Sequence, residues 1–211
     1  MIELYSGTPG SGKSFHACER IYYILKLKGH HVIANFPVKM PLGFRQRSDF
    51  YFIKNEDLTI DYLIRFAMTK HNARREHETL LVIDEAGIKF NSRKWQDADR
   101  LKWLDFFSQH RKFGFDIILI SQSDIMLDKQ IRSFIEIEVN HRKMVNNGWI
   151  GFCLSPVFTF CCIRYWYGIK LRLGCDFLRY SKKIANIYDS FALFDNSLCS
   201  GLLVKGGENA R

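Results

Sequence analysis

The sequence lacks the marks of several protein classes. None of its six cysteines (Cys18, Cys153, Cys161, Cys162, Cys175 and Cys199) forms a C-x-x-C pair, and no histidine stands at zinc-ligand spacing. That removes the zinc-ribbon and dithiol-oxidoreductase readings. Most of the cysteines lie among aromatic or aliphatic neighbours, so reduced structural thiols of a cytosolic protein are expected. There is no internal repeat and no low-complexity segment. With 47% hydrophobic and 25% charged residues there is no compositional case for disorder. No signal peptide is expected, because the chain opens on what reads as a nucleotide loop. A long apolar run is also missing. Val145 to Ile163 carries no charge in nineteen residues, but a membrane span needs about 20 predominantly apolar ones. Asn146, Asn147, Gly148, Ser155, Pro156 and Thr159 interrupt the stretch. Its Phe, Trp, Val, Ile and Cys content suits strands, with Pro156 at a hairpin turn. The chain is therefore expected to be a soluble domain on the cytosolic side, any membrane contact coming through a partner or through sequence absent here. Acidic residues are in short supply: 22 Asp and Glu stand against 31 Lys and Arg, a net charge of +9. Residues 141–211 carry ten basic against four acidic residues, and residues 1–140 twenty-one against eighteen. The excess in the last third favours a polyanion or an anionic membrane face as partner.

What is present is organised around Gly7-Thr8-Pro9-Gly10-Ser11-Gly12-Lys13-Ser14, a full G-x-x-x-x-G-K-[ST] match. By average residue usage the pattern arises by accident in on the order of one chain in a hundred of this size. Here it follows a short apolar run, Ile2 to Tyr5, and precedes a helical stretch from Phe15 to Lys28, the setting the motif requires. The glycines let backbone N–H groups turn inward on phosphate oxygens, and the helix aims its N-terminus at the same anion. Gly7 to Phe15 are thus the candidate ATP-binding residues. Lys13, expected to face solvent, reaches the β- and γ-phosphates, and Ser14 is a Mg²⁺ ligand.

The second half of the site is Thr79-Leu80-Leu81-Val82-Ile83-Asp84-Glu85. Four aliphatic residues in a row read as a strand buried on both faces, with two carboxylates at its C-terminal end, where open α/β sheets bind ligands. Asp84 is the candidate Mg²⁺ ligand, and Glu85 the base that deprotonates an attacking water. Phe115 to Ser121 is another buried strand. Gln122, just past it, is either a contact to the γ-phosphate or water, or a polar turn residue. Further strands are expected at His31–Ala34, Phe50–Ile53 and, half exposed with Glu136 and Glu138 on its wet face, Ile135–Val139. A helix capped by Asp57 or Thr59 is expected to run to Lys70, a second from Asp99 to Lys112, and a short one from Asp124 to Arg132. Ile88 to Ala98 reads as a loop. From Gly148 to Leu173, two or three antiparallel strands are expected, with breaks at Pro156 and Gly168.

The predicted architecture is α/β: a P-loop NTPase with a mostly parallel sheet covered by helices on both faces, plus a small C-terminal antiparallel β addition. Residues 1–140 form the ATPase core, 141–205 the appended basic β region of the same domain, and 206–211 a flexible tail. Arg93, Arg111 and Arg132 follow core elements, where each is either an arginine finger offered to a neighbouring subunit or an ordinary salt-bridge partner.

The segments MIELYSGTPGSGKS, LLVIDEAG, NSRKW, FFSQHRKFGFDIILISQ, DKQIR and YSKKIANIYDS together resemble the N-terminal ATPase domain of the zonular occludens toxin (Zot) family, which includes the filamentous-phage inner-membrane assembly ATPase. The resemblance covers nearly the whole chain. It implies an Mg-ATP hydrolase related to DNA-pumping motors of the FtsK–HerA group, working as a homo-oligomeric ring at the cytosolic face of the host inner membrane. It further implies coat and assembly proteins, and single-stranded DNA, as partners in extruding virions. On that pattern Lys13 and Ser14 bind phosphate and Mg²⁺, Asp84 and Glu85 form the acidic pair, Gln122 is the sensor-like residue and Arg111 the best-placed arginine. Two other readings stay open from the residues: a nucleotide-switched interaction module without sustained turnover, and a small-molecule kinase, which would want an arginine-rich lid that the sequence does not offer.

Overall fold

The computed structural model describes residues 1–72, 75–91, 97–146, 149, 153–155 and 157–188. Its strands, in chain order, are β1 (Ile2–Ser6), β2 (His31–Ala34), β3 (Phe50–Phe52), β4 (Thr79–Ile83), β5 (Phe115–Ile120), β6 (Ile137–Lys143), β7 (Phe160–Trp166) and β8 (Leu171–Leu178). They form one sheet in the order β3-β2-β4-β5-β1-β6-β7-β8. The six strands from β3 to β6 are parallel, and β7 and β8 add on antiparallel. The helices are α1 (Lys13–Tyr23), α2 (Ile60–Lys70), α3 (Ala86–Lys89), α4 (Asp97–Gln109), α5 (Lys129–Arg132) and α6 (Lys182–Ala185).

The aliphatic runs of β1, β4 and β5 are buried on both sides because alternate residues feed two cores. On one face Leu4, Leu81, Ile83 and Leu119 pack with Leu63 and Phe66 of α2 and with Trp103, Phe106 and Phe107 of α4. On the other Tyr5, Val82, Ile118 and Ile120 meet Ala17, Cys18 and Ile21 of α1. Two helix ends follow local chemistry. The Thr59 hydroxyl accepts from the Tyr62 N–H at 3.3 Å and caps α2. Past α1 the chain runs on as a π-helical segment, Ile24–Lys28, closed by Gly29 at φ 71°.

Several expectations need correcting. Strand β6 begins at Ile137 and continues to Lys143, pairing with Glu3 to Ser6 of β1. The antiparallel strands β7 and β8 extend the same sheet beyond β6. Glu138 is not on a wet face: it is 9% exposed and held by the Ser6 hydroxyl and the Lys170 ammonium, each at 2.7 Å. Asp124 to Arg132 is not one helix. A 3₁₀ turn at Asp124–Met126 is separated from α5, whose first turn Asp128 caps by accepting from the Gln130 N–H. The loop expected from Ile88 gives way to α3 and α4 at its two ends. By contrast, the expected break at Gly168 is where the turn between β7 and β8 lies. Pro156, Cys199, Arg93 and the tail 206–211 lie outside the described residues. Among the described residues no helix is long and apolar enough to cross a membrane.

One polar contact fastens β1 to α1 beneath the glycine loop. The Glu3 carboxylate is buried and takes two hydrogen bonds from Arg20 Nη1, at 2.9 and 3.1 Å. Arg20→Leu would strand that carboxylate without its cation. The expected loss of stability is about 3 kcal/mol, the low end for a broken buried pair, because Arg20 keeps a third of its side chain in water. Urea unfolding of parent and variant measures it; equal midpoints would mean that solvent already compensates Glu3.

Candidate nucleotide site

The site assembles at the C-terminal edge of the parallel strands. Between β1 and α1 the chain turns through Gly7, Gly10 and Gly12 at φ 135°, 70° and 96°, a region L side chains avoid. The space is closed as well as the torsion. A Cβ on Gly7 would run into the His141 carbonyl oxygen, and one on Gly12 would come within 2.6 Å of the Phe160 ring. Strands β6 and β7 thus brace the loop from behind. The Gly7 N–H donates to the Gln122 carbonyl at 3.3 Å, tying the loop to the end of β5. Phe15 packs against Phe160 and Tyr180, ring centroids 5.8 Å apart in both cases. The Lys13 side chain is half-buried and does not reach freely into solvent as expected. It donates to Gly7 O at 2.8 Å and Thr8 O at 3.1 Å, folding back over its own loop because those carbonyls are the nearest acceptors.

Across from the loop stands Asp84, 8% exposed. Its Oδ2 accepts from the Ser14 hydroxyl and from the Tyr188 hydroxyl, both at 3.3 Å, and its Oδ1 from the Glu85 N–H at 2.8 Å. Burial nevertheless raises its pKa, opposed by those hydrogen bonds and by the Lys13 charge. Asn35 clamps the backbone of the same residue. Its Oδ1 accepts from the Asp84 N–H at 2.7 Å, and its Nδ2 donates to the Asp84 carbonyl at 2.8 Å. Glu85 follows at φ 50°, ψ 40°, a left-handed conformation that costs a non-glycine residue energy and is found at functional sites. The Glu85 side chain is exposed, and its pKa is raised by partial desolvation and by the charge of Asp84. Burial lowers the pKa of Lys13, against the pull of Asp84 and Glu85.

Of the residues picked from sequence, Gly7 to Phe15, Asp84, Glu85 and Gln122 come together at this edge. Arg111 does not. It follows α4 at the opposite, N-terminal edge of the sheet, where it pairs with Glu136 at 2.6 Å. Arg132 lies at the end of α5 with a buried Nε that has no hydrogen-bond partner. Asn35, Tyr188 and Lys143 were missed. The signal for Asn35 was available: it directly follows a parallel strand, on the edge where ligands bind. Lys143 ends β6, and its ammonium stands over the loop, 3.4 Å from where a Cβ on Gly10 would be.

These residues fit a nucleotide with a divalent cation. The loop is shaped for close backbone approach, the Ser11 hydroxyl within it is buried without a partner, and Ser14 and Asp84 present hard oxygen donors side by side.

The family model described as "Zonular occludens toxin (Zot)" matches residues 1–192. The Gene 1 protein of Enterobacteria phage I2-2 is 32% identical over 135 residues, 62% of this chain and 37% of that protein. The Gene 1 protein of Enterobacteria phage fd is 48% identical over 54 residues, 26% of this chain and 16% of that protein. The chain thus aligns with well under half the length of these curated relatives. Among solved structures, the N-terminal domain of zonular occludens toxin from Neisseria meningitidis superposes with a TM-score of 0.56 at 16% identity, covering 89% of this chain and 98% of that one. B204, the DNA-packaging ATPase from Sulfolobus turreted icosahedral virus, gives 0.54 at 14% identity, covering 85% and 97%. The shared fold is that of P-loop NTPases.

The raised pKa of Asp84 sets the sign of a pH effect. In the folded protein the carboxyl keeps its proton at pH values where the unfolded chain has lost it. Its contribution to stability therefore falls as pH rises above the ordinary aspartate range. Asp84→Asn is expected to melt higher than the parent at neutral pH, the gain shrinking as pH drops into that range. Thermal melts across pH measure this; a variant less stable at neutral pH would show that the hydrogen bonds outweigh burial.

Proposed function

The chain belongs to the zonular occludens toxin (Zot) family, and on that premise we propose that it is an Mg²⁺-dependent ATP hydrolase whose turnover powers assembly and extrusion of filamentous virions. The observation that carries the reading is the contact of Ser14 with Asp84, which joins the glycine loop to the carboxylate strand. In this reading the loop N–H groups and the N-terminus of α1 hold the phosphates. Lys13 exchanges its two carbonyl partners for phosphate oxygens. Ser14 and Asp84 hold Mg²⁺, which neutralises charge on the phosphates when bound. Glu85 takes the proton of the attacking water, and its raised pKa brings it toward the working range of a general base near neutral pH. Gln122 borders the same edge from β5, the strand between the loop strand and the carboxylate strand.

The wider setting extends the same reading. The relatives are phage proteins, and the partners proposed are further copies in a ring, coat and assembly proteins, and single-stranded DNA, at the cytosolic face of the host inner membrane. Arg111, which is paired with Glu136 at the far edge of its own sheet, would act only on a neighbour's nucleotide.

Glu85→Gln keeps the size of the side chain and removes the base. Turnover is expected to fall by about 10²–10⁴-fold with Mg-ATP binding retained, whereas Lys13→Ala should weaken binding itself. Steady-state ATPase assays and equilibrium binding on the same preparations separate the two. Assays over a range of protein concentrations, with and without single-stranded DNA, should show turnover rising with assembly. A Glu85→Gln protein hydrolysing at the parental rate would remove Glu85 from the mechanism. Tight binding without turnover under every condition would favour a nucleotide-switched module.

A further inference from the structure

Behind the glycine loop the fold gathers three metal-ligating side chains from distant parts of the sequence. His16 lies in the first turns of α1, His141 in β6 and Cys162 in β7, and one ligand atom from each falls within 4.8 Å of the others. His141 and Cys162 are buried almost completely, and His16 is partly buried. No spacing rule finds such a cluster, because its members are separated by more than a hundred residues or sit on different strands.

The hydrogen bonds fix how the imidazoles are set. His141 Nδ1 faces two carbonyl oxygens, Val139 O at 2.9 Å and Ser6 O at 3.3 Å. That nitrogen therefore carries the proton. His141 Nε2 is left as a lone pair, accepting from His16 Nδ1 at 2.9 Å. A histidine whose far nitrogen donates to a backbone carbonyl is the arrangement that orients metal-binding imidazoles. Both rings are neutral, held well below the ordinary histidine range by burial, to about 3 for His16 and about 4 for His141.

We propose that His16, His141 and Cys162 form a zinc site that ties the glycine loop and α1 to the antiparallel edge of the sheet. Two nitrogens and a sulfur suit Zn²⁺. With bond lengths of about 2.0–2.1 Å to nitrogen and 2.3 Å to sulfur, tetrahedral ligands stand about 3.3 to 3.6 Å apart. The ligand atoms lie within 4.8 Å of one another, so reaching that spacing takes shifts of about 1 Å. A surface pocket of about 210 Å³ lined by His16, Glu19 and Arg20 borders the cluster on the His16 side. Of the cations near the cluster, Arg20 is paired with Glu3 and Arg164 with Asp176, while the Lys13 charge still acts on His141. Binding requires no redox partner. Burial holds the Cys162 thiol well above its ordinary range, so its proton leaves for solvent only in exchange for the metal, and the His16 proton moves from Nδ1 to Nε2, freeing Nδ1. The consequence for the loop follows from contact. The His141 carbonyl already blocks any side chain at Gly7, and the Ser6 carbonyl accepts from the His141 ring, so a metal on His141 stiffens the strand-to-loop turn.

The test uses the whole chain, reduced, with Co²⁺ as spectroscopic probe and Zn²⁺ in competition with a chelator. One equivalent of Co²⁺ should produce a thiolate-to-metal charge-transfer band, displaced by Zn²⁺. Cys162→Ser should abolish the band, and both it and His16→Gln should weaken Zn²⁺ binding by about tenfold or more. Cys175→Ser is the control. Its thiol lies 3.0 Å from that of Cys161, which, adjacent to Cys162 in β7, points to the other face of the sheet, and its loss should leave the band intact. Absence of the band in folded parent protein, its survival in Cys162→Ser, or its loss in Cys175→Ser would each overturn the proposal. Circular dichroism establishes that each variant is folded. ATP binding measured in parallel keeps the result separate from the nucleotide reading.

Discussion

Asp84 is a carboxylate taken out of water at the point where three strands end, and the site is built around the cost of putting it there. Burying an ionised group without partners is expensive, and the structure answers with donors from separate stretches of chain: Ser14, the Glu85 N–H and Tyr188. Lys13 adds a positive charge nearby. Asn35, just past the neighbouring strand β2, bonds both the N–H and the carbonyl of Asp84 and so fixes the backbone from which the carboxylate projects. The compensation stays incomplete, and the pKa remains raised. On the proposed reading a divalent cation would satisfy a residue poised in this way, so that the geometry that costs stability would also make a binding site.

The sheet order makes the convergence possible. With β5 inserted between β1 and β4, the glycine loop, Gln122 and the acidic pair come from three adjacent strands and face one another across a single edge. The antiparallel strands are no ornament on this arrangement. Phe160 of β7 fills the space a side chain at Gly12 would need, and His141 of β6 does the same at Gly7. The loop keeps its shape because glycine is the only residue these neighbours admit.

Much of this was legible in the sequence, for physical reasons. The loop, the buried strands β1, β2, β4 and β5, the Thr59-capped helix and the Asp84–Glu85 pair announce themselves through local chemistry: glycine spacing, unbroken aliphatic runs, a capping hydroxyl. What escaped depends on long-range placement. Tyr188 reaches Asp84 from 104 residues away, and no pattern near it points there. Glu138 alternates with apolar neighbours as a surface residue would, yet it is buried, met by Ser6 of β1 and by Lys170 from the turn between β7 and β8. Arg111 follows a helix, as a finger would, but linear order does not say which edge of the sheet a helix returns to. The internal break of the 124–132 segment turns on Asp128, which starts a new helix where periodicity suggested one continuing.

The central claim, that Asp84 is a strained acid relieved by Mg-nucleotide, is tested most directly by counting protons. Calorimetric titration of Mg-ATP into the protein, in buffers of differing ionisation enthalpy and at pH just above the ordinary aspartate range, reports protons released on binding. The account predicts release by the parent beyond what the nucleotide alone contributes, and loss of that excess in Asp84→Asn. Equal proton release by the two proteins, with binding intact, would contradict it.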